Sequence, residues 1–419
     1  MDRNIDAQDD PGRPPQTTSV LFTALYSAAN IGAFAAFVPV LQMLVPLQAV
    51  AIGGGHSAAL VSAAALAGAA AASFANILFG ALSDRSASRG GRRTWLWSGL
   101  AATLLTYPLL WSAGSAIGLV AGVTVFQLAF NSLFAPLVAA LTDYVPDRQK
   151  GAVASLLGLG YPLGALLGTQ AVGRLAGTTG AGYAYTAIIV AALIVPFLWH
   201  LRDVKPPASR PRPARAGHWL RSLGHAVFMR VVLGRLLIST AFSLVQGYLL
   251  LYLHGAGAGL LSGTPERSFA TLTALSTCAN IVAAPAIGWW SDRAGHRSAF
   301  VCASGVVVAC AMVFLALAPD WRWLCCAMAI YGGGAGVFLA VDLALLAQSL
   351  PSPHHAGRDL GIANLSNTIP QFLAPAIVLG LAGHGAPDFR LLFLLGGCLA
   401  AAGALCVIGI PSRPHARPH

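Results

Sequence analysis

The chain has 419 residues, 56% of them hydrophobic and only 9% charged, with a mean hydropathy of +0.70. A soluble domain carries about 25% charged residues, so a water-soluble globular protein is excluded and an all-α polytopic membrane protein is indicated. The net charge of +11 is read as a basic strip lying beside anionic membrane lipid, with no nucleic-acid partner required.

Residues 1–19 hold four Asp, two Arg and the pair Pro14–Pro15, without a basic stretch leading to a small-residue cleavage site, and are expected to be a tail, not a cleaved signal. A spanning helix needs about 20 mostly apolar residues. About twelve such stretches follow, at approximately 20–42, 58–82, 95–111, 116–141, 152–172, 183–200, 231–252, 269–289, 299–318, 323–350, 360–380 and 389–410. Between the sixth and the seventh, residues 201–230 combine Pro206, Pro207, Pro211 and Pro213 with basic side chains and are expected to form an extended linker. The expected organisation is therefore a six-helix bundle over 20–200, the linker, a second bundle over 231–410 and a tail over 411–419. Twenty of the 25 Lys and Arg fall on one side of this arrangement. The positive-inside rule puts that side, with both termini, in the cytoplasm, and the cell (inner) membrane is the expected location.

A charged signature recurs at the ends of the second and eighth stretches. Gly80, Ser83, Asp84 and Arg85 are matched by Gly288, Ser291, Asp292 and Arg293, a constant offset of 208 residues. In a chain with only 14 acidic residues, this marks an internal repeat, as in transporters built from two related bundles. Twelve helices divided six and six around such a signature resemble the major facilitator superfamily over essentially the whole chain. The longer run Ser83-Asp-Arg-Ser-Ala-Ser-Arg-Gly-Gly-Arg-Arg93 resembles the loop of glycoside-pentoside-hexuronide cation symporters and plant sucrose transporters. That resemblance implies that Asp84, Arg85, Arg92 and Arg93 stabilise one access state. Gly80 is expected to let the second helix approach a neighbour closely, and Asp84 to pair with nearby Arg; a solvated basic loop without a gating role is the alternative.

After the fourth stretch, Asp143-Tyr-Val-Pro-Asp-Arg148-Gln-Lys-Gly151 resembles a second facilitator loop and adds Asp143 and Arg148 to the gating residues. Gln348 stands where Asp143 stands in the first half, so any charged latch here is expected to be one-sided. Pro162 and Pro370 again differ by 208 and are expected to bend the fifth and eleventh helices.

Inside the membrane, Asp342 lies about 13 Å from the basic end of the tenth stretch at 1.5 Å per residue. A lone carboxylate there is costly, so it must be paired, protonated or wet. Arg235, entering the seventh stretch from the same side, is the expected partner, and the pair is either a coupling device or a structural clamp. Gly332, Gly333, Gly334 and Gly336 just ahead of Asp342 are expected to weaken that helix. Asn30, Gln42, Gln127, Asn131, Gln246, Asn364, Asn367 and Gln371, with Tyr107, Tyr248 and Tyr331 as aromatic neighbours, outline a site for a hydroxyl-rich or uncharged solute, or serve as helix-packing contacts.

With Lys150 and Lys205 the only lysines, no phosphate-binding Gly-x-x-x-x-Gly-Lys-Ser/Thr loop exists. Glu266 is the only glutamate, and the seven cysteines lack metal-ligand spacing. No metal, cofactor or enzymatic activity is expected. The expected function is secondary transport of a sugar, glycoside or other small polar solute by a monomer using alternating access. The absence of acidic residues over 58–82 argues against sodium and for protons. Alternatives are proton-driven efflux, partly suggested by Gly158-Leu-Gly-Tyr-Pro162-Leu-Gly164, and a non-transporting sensor.

Overall fold

A computed structural model describes residues 18–86, 91–175, 177–201, 225–255, 257–261, 263–349, 356–382 and 387–410. Among them there is no β-strand. The first helix, α1, runs through Val20–Pro39, a π-helical turn at Val40–Leu44 and Val45–Gly53. It is followed by α2 (Ser57–Ser86), α3 (Gly91–Trp111), α4 (Ala116–Tyr144), α5 (Asp147–Leu175) and α6 (Thr179–His200). The second half contains α7 (Ala226–His254), α8 (Pro265–Ala294), α9 (Arg297–Ala316), α10 (Trp321–Ser349), α11 (Ala356–Ala382) and α12 (Phe389–Val407).

Among the described residues, nine stretches are long and apolar enough to cross a membrane, one of them, Val20–Arg85, spanning both α1 and α2. Outside these nine lie α3, diluted by Arg, Trp, Thr and Pro, and the apolar stretch Leu365–Leu381, the part of α11 whose side chains are described. Most helices outrun the expected spans by a turn at one or both ends. Hydropathy marks only the stretch in hydrocarbon, whereas backbone hydrogen bonding continues into the interface. Most of the expected linker, and the side chains of Arg358 and Asn364, lie outside the described residues.

Helix starts are written locally. Ser115 accepts from Gly118 N, Thr178 from Ala181 N, and Thr264 from Arg267 N with Pro265 and Glu266 in the first turn. Asp388 accepts from Arg390 N and Leu391 N. These caps satisfy amides that would otherwise be orphaned at the membrane boundary. Gly295, at φ +72°, closes α8 in the left-handed region.

Close helix contacts rest on small residues. A Cβ on Gly164 of α5 would lie 2.7 Å from Ala35 N of α1, and one on Gly168 2.6 Å from Pro39. In the second half, a Cβ on Gly332 would overlap Ser276 O and one on Gly336 would lie 2.6 Å from Asn280 O. Through these glycines α10 runs as an unbroken helix, and Gly332 and Gly336 are the surface on which α8 rests. The Pro162 expectation is met differently from a smooth bend. Without an N–H at Pro162 the carbonyl of Gly158 has no helical donor, and the α-helical pattern of α5 is interrupted at Leu159.

Candidate functional site

A cavity of about 740 Å³ lies between the halves, walled by α1, α2, α4 and α5 on one side and α7 and α11 on the other. Its first-half wall carries an aromatic ladder: Phe34 meets Phe134 and Tyr161 edge-on at 5.5 Å, Phe37 lies 5.0 Å from Phe130, and Phe130 stacks on Phe134 at 5.3 Å. No Asp, Glu, Lys, Arg or His lines the cavity among the described residues.

Polar groups come in three clusters. In the first, Tyr161 OH donates to Gln246 Oε1 (2.7 Å), and Gln42 Nε2 lies 3.2 Å from Tyr161 OH and 3.4 Å from Gln246 Oε1. This cluster joins α1 and α5 of one half to α7 of the other. Gln42 sits in the π turn after Pro39, whose extra residue per turn re-aims the side chain. Two residues further along α7, toward the end opposite the basic loops, the Tyr248 hydroxyl lies 2.6 Å from that of Ser62 across the halves. Gln170 Nε2 donates to Ala270 O (2.6 Å) on the same side of the molecule. The hydrogen bonds between α1–α6 and α7–α12 therefore gather toward that end of the cavity.

The second cluster is on the first half. Asn76 Nδ2 donates to Asn131 Oδ1 (3.2 Å), Asn131 Nδ2 donates to Gln127 O (2.9 Å), and Gln127 Oε1 is buried with no partner among the described residues. The third is on the second half, where Asn367, Thr368 and Gln371 line the wall. Arg235 Nη2 and Nε donate to Asn367 Oδ1 (3.1 and 3.4 Å), and Nη1 lies 2.9 Å from Asp342 Oδ2 as an ion pair, without the alignment of a hydrogen bond. Asp342 is 4% exposed. The structure thus joins Arg235 and Asp342, as expected, one residue behind the cavity wall.

Other candidates are placed differently. Asn30 packs against Gly160 of α5 and is not in the cavity wall, and its Oδ1 has no partner among the described residues. Of the three tyrosines, only Tyr248 lines the cavity; Tyr107 donates to Ala36 O within the first bundle, and Tyr331 packs edge-on against Phe242. Sequence reasoning left out Asn76 and Tyr161 as site residues. Asn76 is the one amide in the apolar run Phe74–Phe79, a signal open to sequence reading, whereas Tyr161 becomes legible only once α5 is rotated toward α7.

At the basic end, Arg92 is 4% exposed and ties three helices together. Its Nε donates to Asp143 Oδ2 (2.7 Å), Nη2 lies 2.5 Å from the same oxygen, Nη1 donates to Ser83 Oγ (2.8 Å) and lies 3.0 Å from Asp84 Oδ1. Arg93 Nε donates to Leu198 O (3.3 Å), while Arg85 and Arg148 are exposed. Gly80 does not mediate a close approach here: a Cβ there would meet nothing within 4 Å, because this face of α2 turns away from neighbouring helices. In the second half Gly288 makes ordinary contact with Ala340 at 3.5 Å. Asp292 pairs with Arg297 (2.8 Å), not with Arg293, which lies 3.7 Å over the Trp289 ring. Gln348 Oε1 and Ser291 Oγ are buried without partners among the described residues, so the two ends are unequal.

The sequence family described as Major Facilitator Superfamily matches residues 20–265 and again 261–419. The chain belongs to that superfamily. It is a multi-pass membrane transporter, not an enzyme. A search of curated proteins found no match. Among solved structures, the fold is similar to an auto-inhibited POT family peptide transporter (TM-score 0.67, 13% identity, 96% of this chain and 98% of that one). It is similar also to the POT family transporter PepTSo (0.70, 11%, 94% and 97%) and to a bacterial homologue of the human lysosomal transporter Spinster (0.64, 14%, 93% and 94%). At these identities the likeness is one of fold.

Proposed function

We propose that this transporter carries a small uncharged, hydrogen-bonding solute by alternating access, coupled to protons through Asp342 and Arg235. The cavity wall carries the argument: amides, hydroxyls and aromatic rings surround a space into which no ionised side chain projects among the described residues. A free carboxylate or ammonium on the solute would have no counter-charge there and a large desolvation cost, whereas hydroxyls can exchange water for Gln, Asn and Tyr partners beside aromatic faces. Sugars and glycosides have this chemistry, and the Ser83–Arg93 loop supports the same reading.

Asp342 and Arg235 supply the proposed coupling. A buried carboxylate is stable ionised only while Arg235 and water compensate it, and rocking of one half against the other changes how wet the cavity is. Arg235 holds Asn367 as well, so a solute drawing on Asn367 alters the surroundings of the carboxylate. Arg92 with Asp84 and Asp143 is proposed to brace the first half at the cytoplasmic face as it moves, while Gly80, Arg85, Arg93, Arg148, Gly288, Asp292 and Arg293 meet partners across the halves in the opposite access state.

Gradient-driven uptake of labelled neutral glycosides, zwitterionic dipeptides and lipophilic cations into proteoliposomes tests the reading. Proton-stimulated movement of a glycoside supports it; movement of cations or peptides alone contradicts the solute class. Movement only from the cytoplasmic to the outer side would make it an exporter.

A further inference from the structure

A second cavity, of about 520 Å³, lies apart from the solute site, between α8, α9 and α10. Its walls include Ala283, Ile287 and Trp290 of α8, Phe300 and Val307 of α9 and Gly333 of α10. They are apolar apart from Ser304, whose hydroxyl donates to Val301 O (2.7 Å). Trp290 and Phe300 meet edge-on at 5.5 Å near the basic end of the groove. Ala283 is about 16 Å along α8 from its basic end at 1.5 Å per residue, so the groove follows roughly half of a 30 Å hydrocarbon core. On α10 the lining continues to Gly333 and Ile330, so the groove runs inward from the basic face to the middle of the core.

The mouth is cationic. Arg293 stands three residues beyond Trp290 on α8, and Arg297 three before Phe300 on α9, spacings that place each on the same helix face as its aromatic neighbour. Arg297 is shared with Asp292. Arg293 is exposed over the Trp289 ring and has no carboxylate in ion-pair range among the described residues. A groove that is apolar within the leaflet and positive at the headgroup level matches a ligand apolar along its length and anionic at one end.

We propose that the groove between α8, α9 and α10 binds one acyl chain of an anionic phospholipid from the leaflet on the basic face, with its phosphate at Arg293. The chain lies against Gly333, whose missing side chain leaves the space open: a Cβ there would meet nothing within 4 Å. Its neighbours Gly332 and Gly336 bear on α8, so the lipid backs the helix that carries Asp342. The site does not depend on the transport reading.

Delipidated full-length protein titrated with phosphatidylglycerol and with phosphatidylcholine of the same chains, followed by native mass spectrometry, tests this. The wild type is expected to hold one phosphatidylglycerol at least tenfold more tightly than phosphatidylcholine. Gly333→Phe, which fills the groove, should lose that binding event, while Gly333→Ala should keep it. Ala303→Phe narrows the groove from α9 and should act like Gly333→Phe, guarding against a folding defect in either variant. Arg293→Gln should remove the preference between the two headgroups. Unchanged phosphatidylglycerol binding in both Phe variants would overturn the proposal, as would equal wild-type affinity for the two lipids. A groove that instead seats a second copy of the chain would appear as a dimer lost in Gly333→Phe.

Discussion

Arg92 shows how one side chain can organise the basic end of a bundle. It is buried, and its donors are divided among Asp143, Asp84 and Ser83, so the carboxylates are not equivalent. Asp84 is 66% exposed and Asp143 26%. An exposed pair contributes about 0–1 kcal/mol, whereas charge-assisted hydrogen bonds to a buried guanidinium are each about 1.5–3 kcal/mol. Asp143→Asn is therefore expected to lower the melting temperature of the purified protein clearly more than Asp84→Asn does. An equal or reversed order in a thermal-shift measurement would mean that Asp84 carries the latch, as the repeated signature alone suggests. A second residue-scale expectation concerns Tyr161, whose hydroxyl joins α5 to Gln246 of α7. Tyr161→Phe removes one hydrogen bond between the halves, about 1 kcal/mol, and should shift the access equilibrium about fivefold toward opening at that end. Spin labels at Gly55 and Gly259, both exposed in the loops α1–α2 and α7–α8, should show a larger long-distance fraction in the variant when the native cysteines are replaced. Gly257 is unsuitable as a probe because it is buried against the Tyr252 ring.

At the scale of elements, the glycines of α10 divide into two kinds. A methyl group on Gly332 would overlap Ser276 backbone, whereas on Gly333 it would enter open space. Overpacking costs about 1–3 kcal/mol or more where backbone cannot retreat, so Gly332→Ala should reduce folded yield in detergent while Gly333→Ala should not. Equal yields would show that α8 can move away from α10. The same contrast explains what was legible in the sequence. Helix number and order followed from hydropathy, and the repeat and Asp342–Arg235 followed from the rarity of charge in an apolar chain, where an intramembrane carboxylate has few possible partners. Asn30 and Tyr107 were misplaced as neighbours of the solute cavity because an amide or a tyrosine on a membrane helix reads alike whether it faces a cavity or a neighbouring helix. Only rotation about the helix axis decides, and the apolar pattern is too uniform on α1 and α3 to reveal it. The π turn that aims Gln42 was illegible for a related reason: it depends on how α1 packs, and Pro39 marks only where it begins.

At the scale of the molecule, hydrogen bonds between the halves gather toward the end opposite the basic loops, at Tyr161–Gln246, Ser62–Tyr248 and Gln170–Ala270. Transport in the proposed account requires these to break as contacts form at the other end, with the protonation of Asp342 biasing the exchange. The ion pair to Arg235 offsets the desolvation of the carboxylate, and removing either partner alone leaves an uncompensated or idle group. A structural clamp and a coupling acid make different demands on the double variant Arg235→Gln, Asp342→Asn: a clamp recovers accumulation when both charges go, and a coupling acid does not. The most direct measurement compares wild type and Asp342→Asn in proteoliposomes for proton-driven accumulation and for counterflow of the same labelled glycoside. The account predicts that the variant retains counterflow and loses accumulation; accumulation surviving at the wild-type level would contradict it.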